Sequence, residues 1–281
     1  MKIRENRWIG VLIIALIYAA AAALGVLLYR ALPGAYWQRL LIADVAATVF
    51  VFAFSVVFRN ASVYDPYWSV QPIVILAAFA CKNGLTAAGA ALLTVVSIWG
   101  VRLTGNWVYT FYGLNHQDWR YTMLHQKSGA FYPVVNFFGI HLVPTLIVYA
   151  VTLPAVCVIE SGAAWSWLCL PGLLLSLSAT VLQGVSDLQL HRFRNAHRTG
   201  FIREGLWTRS RHPNYLGEIL MWWGVAFGSI AALRGQWYFL VGAVLNTALF
   251  LFISIPMADQ HQARKEGFDS YKAETHALRI F

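Results

Sequence analysis

The chain has 281 residues, of which 59% are hydrophobic and only 12% charged, and its mean hydropathy is +0.58. These figures exclude a soluble globular domain and predict an all-α, polytopic membrane protein. The formal charge of +9 does not indicate nucleic acid, because the basic residues sit in short connections between apolar spans, where membrane lipids are their expected partners.

Windows of about 20 apolar residues fall at 8–29, 37–58, 66–81, 84–104, 133–158, 165–190, 214–233 and 236–257. They predict eight spans, the third the weakest. With a cytoplasmic N-terminus, all of the 21 basic residues except Arg30, Arg39, Lys82 and Arg234 lie inside, as the positive-inside rule requires. Both termini are then cytoplasmic, and the first span, which lacks a small-residue cleavage site, is expected to stay as a helix.

The longest polar stretches, 113–130, 191–213 and 259–281, are too short for an independent core. Function therefore has to be built from helix ends and cytoplasmic loops. Cys81, Cys157 and Cys169 form no CxxC pair, the eight histidines form no HExxH pair, and no catalytic metal is expected.

Along the chain, Asp44 stands alone in an apolar span and is expected to hydrogen-bond a neighbouring helix. Asp65 precedes Pro66 among Tyr64, Tyr67 and Trp68. It reads either as a helix N-cap or as an acid whose pKa is raised by desolvation, suited to donating a proton. Arg102, at the end of the fourth span, and Gln117-Asp118-Trp119-Arg120-Tyr121 read first as interfacial anchors.

Further on, Asp187, His191 and Arg194 share one helical face. The connection that follows holds Arg192, Arg194, Arg198, Arg203, Arg209 and Arg211 but no lysine. Orientation alone needs far fewer, and guanidinium forks suit the phosphates of an anionic cofactor. Arg211-His212-Pro213-Asn214-Tyr215-Leu216-Gly217-Glu218 opens the next span. Its plainest reading has Pro213 starting a helix and His212 capping it. That leaves Asn214 and Glu218, four apart on one face, without a role. Glu218 lies about a turn inside the apolar span, and something polar must meet it there.

The string Gly205-Leu206-Trp207-Thr208-Arg209-Ser210-Arg211-His212-Pro213-Asn214-Tyr215-Leu216-Gly217-Glu218 resembles the C-terminal signature of the membrane steroid 5α-reductase family, especially its bacterial DUF1295-type members. Tyr64 to Ser69, Trp99-Gly100-Val101-Arg102, Asp118 to Tyr121, Ser186-Asp187 and Phe268 to Tyr271 resemble that family in the same order. The first span, within 1–36, looks like an addition to a reductase domain of 37–281 whose cofactor-binding half is about 187–281.

The resemblance implies an enzyme of the bacterial inner membrane in which NADPH enters from the cytoplasm. It would reduce a carbon–carbon double bond conjugated to a ketone in an apolar substrate arriving from the bilayer, and a monomer is expected. Asp65 becomes the candidate acid, with Tyr64 and Tyr67 as further catalytic candidates. Arg102, Asp187, Arg194, Asn214 and Glu218 become cofactor contacts, with Arg203, Arg211 and Tyr215 as additions. The sequence departs from the family where Trp99 stands in place of a ketone-binding tyrosine. Tyr64, Tyr67 and Tyr109 all remain open as sources of the missing hydroxyl. The end of the chain, Ala277 to Phe281, also lacks the family's closing proline.

A membrane methyltransferase of the isoprenylcysteine or phospholipid type shares the Arg-His-Pro-x-Tyr-x-Gly pattern. Its S-adenosylmethionine carries no phosphate, however, and gives no reason for the arginines. A non-enzymatic lipid-binding protein would scatter polar residues through the midplane of several helices. Here they gather at the cytoplasmic ends.

Overall fold

The computed structural model describes residues 3–196 and 199–279. Lys2, His197 and Arg198 of the basic sets and the closing Ile280 and Phe281 lie outside these residues. Regular structure among the described residues is helical throughout, with no strand.

Among the described residues, seven helical stretches are long and apolar enough to cross a membrane: Arg7–Ala31, Tyr36–Phe58, Ala87–Thr110, Trp119–Glu160, Cys169–Asn195, Pro213–Ala232 and Trp237–Gln262. The first three of these are α1, α2 and α4. Between α2 and α4 lies α3 (Tyr67–Asn83), where the third span is expected. At 17 residues, with Pro72 inside it, α3 reaches only about 25 Å against a hydrocarbon core of about 30 Å. Trp119–Glu160 comprises α5 (Trp119–Ser128), a single turn α6 (Tyr132–Val134), a π-helix at Val135–Leu142 and α7 (Val143–Glu160). The chain continues through α8 (Cys169–Asn195), α9 (Pro213–Ala232), α10 (Leu240–Leu249), α11 (Ile255–Gln262) and α12 (Phe268–Glu274).

The chain divides into two compact units. The first comprises the described residues up to Ala78 with Gly100–Leu153, and the second comprises Phe79–Trp99 with the described residues from Pro154 onward.

In the first unit, the Asn6 side chain caps α1 by accepting from the Trp8 and Ile9 amides at 3.0 Å each. The span expected as an addition shares a core with the rest of the unit: Ile14, Ile17, Tyr18 and Ala21 pack with Val51, Val63, Tyr64, Tyr67, Phe111 and Leu114. Helix α2 ends at Arg59 in the left-handed region (φ 49°), which turns the chain into a 3-10 turn at Ala61–Tyr64. That turn is fastened to the loop before α5. The Asn60 amide donates to the Leu114 and His116 carbonyls at 2.9 Å each, the Ala61 amide donates to Gln117 Oε1 at 2.9 Å, and the Asp118 amide donates to Ser62 Oγ at 2.9 Å.

In the second unit, α8 and α9 approach along small residues. A Cβ on Gly224 would lie 2.2 Å from Ser176 Oγ and 2.5 Å from the Gly172 carbonyl oxygen, and one on Gly217 would lie 2.7 Å from the Ala179 carbonyl oxygen. Gly172, Ser176, Ala179 and Gln183 on α8 thus face Gly217, Met221, Gly224 and Gly228 on α9, a small-residue spacing that lets membrane helices meet backbone to backbone. This contact sets Gln183 against Glu218.

Candidate functional site

In the first unit, the turn before α3 and the start of α5 bring Asp65 and Tyr121 together. The Tyr121 hydroxyl donates to Asp65 Oδ1 in a short bond. Asp118 caps α5 through the Arg120 amide at 2.9 Å and also pairs with the Arg120 guanidinium at 2.8 and 3.2 Å. Burial raises the Asp65 pKa to about 6, against the opposing pull of the nearby Arg120. The residue does not act as a helix N-cap; it closes the Ala61–Tyr64 turn. Its backbone is right-handed helical rather than extended, and its carboxylate accepts from Tyr121 and Ser62.

Neither Tyr64 nor Tyr67 supplies that phenol. The Tyr64 hydroxyl bonds Thr145 Oγ1 at 2.7 Å, Tyr67 bonds Thr48, and Tyr109 is exposed. Tyr121 belonged to a run that reads first as an interfacial belt. Its role depends on the pairing of the 59–62 and 114–118 loops, which local sequence does not announce. Arg102 lies part-buried on α4 in the same unit.

In the second unit, Pro213 opens α9 as expected, but the His212 side chain makes no cap bond. Its Nε2 faces Asp259 Oδ1 at 2.8 Å, and its ring stacks on Tyr215 at 5.1 Å with 7° between planes. Arg211 Nη2 meets Asp259 Oδ2 at 3.0 Å, and its other terminal nitrogen donates to the Thr275 carbonyl in a short bond. Lys272 Nζ stands 3.5 Å from Asp259. The tail is tied to the same strip by the Arg211 and His212 amides, which donate to the His276 and Ala277 carbonyls at 3.0 and 3.1 Å. The Tyr271 hydroxyl, whose pKa burial pushes up to about 12, donates to the Trp207 carbonyl. Asp259, the hub of this clamp, is absent from the sequence-derived candidates. Its one sequence signal is an acid placed at the end of a long apolar helix.

A step along α9, Asn214 Nδ2 reaches Asp187 Oδ1 at 3.4 Å. One turn further, Glu218 is 5% exposed. It accepts from Gln183 Nε2 at 2.6 Å, Trp99 Nε1 at 2.8 Å and Trp222 Nε1 at 2.9 Å, and these are the polar partners its depth demands.

The arginines divide. Arg203 donates to the Gly267 carbonyl at 2.6 Å and lies over Phe201, and Arg211 is held by Asp259 and the tail. Arg194 is exposed at the end of α8. Beside it is Lys265, whose pKa is lowered by burial and by the Arg194 charge. Lys265 Nζ also donates to the Gly200 carbonyl at 2.7 Å, so two like charges from separate elements stand near one another here.

The seven apolar helices make this a multi-pass helical membrane protein. The chain belongs to the DUF1295 family, described as "Protein of unknown function (DUF1295)", whose model matches residues 51–275. It is also similar to the uncharacterized protein C594.04c of Schizosaccharomyces pombe, with 26% identity over 227 residues. That alignment covers 70% of this chain and 63% of the relative, so the chain spans under two thirds of the relative's length. Helix α1 precedes the family match. No solved structure matches the chain.

Proposed function

We propose that the chain is a membrane-embedded, NADPH-dependent reductase of a carbon–carbon double bond conjugated to a ketone in an apolar substrate. The observation that carries this reading is the Asp65–Tyr121 pair, a part-buried carboxyl that holds its proton up to about pH 6 with a phenol bonded to it. Reduction of an enone needs a proton donor as well as a hydride, because charge builds on the ketone oxygen as the β-carbon is reduced. When bound, NADPH supplies the hydride. Asp65 in its acid form donates a hydrogen bond to the ketone oxygen, and Tyr121 holds the carboxyl in place. The second unit, taken by itself, offers Arg194 and Lys265 as candidate phosphate contacts and Asn214, bonded to Asp187, as a candidate amide contact. Methyl transfer from S-adenosylmethionine calls for neither a proton donor nor a phosphate subsite, which favours the reductase.

The test is thermal unfolding of the detergent-purified protein with NADPH, NADH or S-adenosylmethionine in parallel. A ligand that binds only the folded state at 100 times its Kd stabilises it by about 2.7 kcal/mol. NADPH is expected to raise Tm, and Asn214→Ala, at a part-buried site, is expected to remove that rise while leaving the unliganded Tm near the parent value. Stabilisation by S-adenosylmethionine alone would transfer the chain to the methyltransferases.

A further inference from the structure

Helix α1 lies wholly before residue 51, where the family match begins, yet it touches both arms of the chain that carry the Asp65–Tyr121 pair. One arm runs from the end of α2 through the 3-10 turn to Asp65. The other runs from the end of α4 through the loop 111–118 to Tyr121.

On the first arm, the buried Tyr18 hydroxyl donates to the Val63 carbonyl at 2.6 Å, two residues before Asp65. The Tyr18 ring meets Tyr67 edge-on at 5.3 Å, and Asp65 and Tyr121 are both close enough for their charges to act on the Tyr18 hydroxyl. On the second arm, a Cβ on Gly10 would lie 2.9 Å from the Phe111 ring and 3.4 Å from the Leu114 side chain, so α1 runs hard against the chain there. The Arg7 guanidinium donates to the Val108 carbonyl. The turn before α1, Ile3–Glu5, joins the two arms: the Arg4 guanidinium donates to the Phe58 carbonyl, and the Arg4 carbonyl accepts from the Asn115 amide at 3.1 Å.

The bonds from Tyr18, Arg7 and Arg4 all end on main-chain groups of the arms, so they fix the course of the backbone. Phenylalanine at position 18 would fill the same apolar space, and what the hydroxyl adds is its bond to Val63. Asp65 and Tyr121 stand 56 positions apart, one on a turn and the other at the start of a helix that follows a loop. A proton donor has to be held within about 0.5 Å of its productive position, and loops achieve this less well than helices do. We infer that α1 is the positioning element of the candidate acid: Tyr18 sets the turn that presents Asp65, and the Arg4 backbone sets the loop that leads to Tyr121. The inference rests on the reading of Asp65 as proton donor.

The test is an infrared titration of the Asp65 carboxyl in the full chain in detergent, its band assigned by its loss in Asp65→Asn. Asp65 is faced by Tyr121, Arg120 and Asp118 from the α5 end, by Ser62 and Tyr64 from its own turn and by Tyr18 from α1. Burial is the largest cause of its raised pKa, so a loosened turn that admits water should lower the midpoint from about 6 toward 3.8. Tyr18→Phe, which keeps the ring, is expected to weaken proton affinity at least threefold and to leave the NADPH-induced rise in Tm unchanged. Gly113→Ala, at φ 147° with a Cβ 2.9 Å from the Arg4 carbonyl oxygen, loosens the other arm and carries the test where Tyr18→Phe does not fold. A midpoint that stays at the parent value or rises, whatever happens to Tm, would show that α1 contributes packing alone and overturns the inference. A parent midpoint at 3.8 would overturn it together with the reductase reading. Failure of NADPH to stabilise the parent would sink that reading alone, with the midpoint still deciding the role of α1.

Discussion

The Trp99 indole donates to the Glu218 carboxylate at 2.8 Å across 119 positions of chain. In the resemblance to the steroid reductases, a ketone-binding tyrosine stands at this position. Here the N–H is committed to a buried acid of the same unit, with Gln183 and Trp222 completing the set. In the first unit, a separate phenol, Tyr121, bonds the Asp65 carboxyl.

Trp99→Phe keeps a ring and removes that donor. A hydrogen bond to a charged group contributes about 1.5–3 kcal/mol, and a loss of that order is expected in denaturant unfolding. Glu218→Gln should cost less than Glu218→Leu, which strands three donors. The pair Trp99→Phe with Glu218→Gln should lose less than the sum of the single losses, because both remove one interaction. Strict additivity would show that the indole contributes nothing through Glu218.

Gly224→Ala places a methyl group 2.5 Å from the Gly172 carbonyl oxygen, a backbone atom that cannot swing aside. Overpacking of this kind costs about 1–3 kcal/mol. Gly105 on α4, where an added Cβ meets nothing within 4 Å, is the control. There alanine should stabilise by about 0.5–1 kcal/mol through helix propensity. The difference in Tm between the two variants reads the α8–α9 contact directly.

The spans are legible because a bilayer demands about 20 apolar residues in succession, and a 17-residue helix interrupted by Pro72 was bound to read as the weakest. The need at Glu218 is legible too, since a carboxyl at that depth requires donors. Its partners are not, because Gln183 and Trp99 come from 35 and 119 positions away, and the third, Trp222, four positions along, is like Trp99 an indole that counts as apolar in any hydropathy window. Asp259 is hidden for the same reason, lying 48 positions from Arg211. Arginine density in the sequence suggests phosphate affinity, but part of it serves the tail. Arg203 and Arg211 spend their donors on the Gly267 and Thr275 carbonyls, and backbone acceptors leave no trace in sequence.

Asp259→Ala leaves Arg211 and His212, with side chains 10% and 8% exposed, without their acid. Removing one partner of a buried pair typically costs about 3–5 kcal/mol, and the surviving bond from Arg211 to Thr275 puts the expected loss near the low end. The local effect should be larger than the global one. Trypsin should cut at Arg264, Lys265 and Lys272 faster than in the parent protein, since the tail's anchor to the Arg211–His212 strip is gone. An unchanged cleavage rate would show that the backbone bonds to His276 and Ala277 hold the tail unaided.

The Asp65 pKa of about 6 against an ordinary 3.8 makes a signed prediction for pH. A raised folded-state pKa means that the folded protein holds this proton more tightly than the unfolded chain does. Its contribution to stability is therefore fully present below about pH 4, falls as pH rises to about 6, and stays constant above that. Asp65→Asn has nothing to titrate there. The Tm of the parent minus that of the variant should therefore decline between pH 4 and 6 and then level off. A difference that stays flat across this window would show that burial does not raise the Asp65 pKa and would remove the proton donor on which the reductase reading depends.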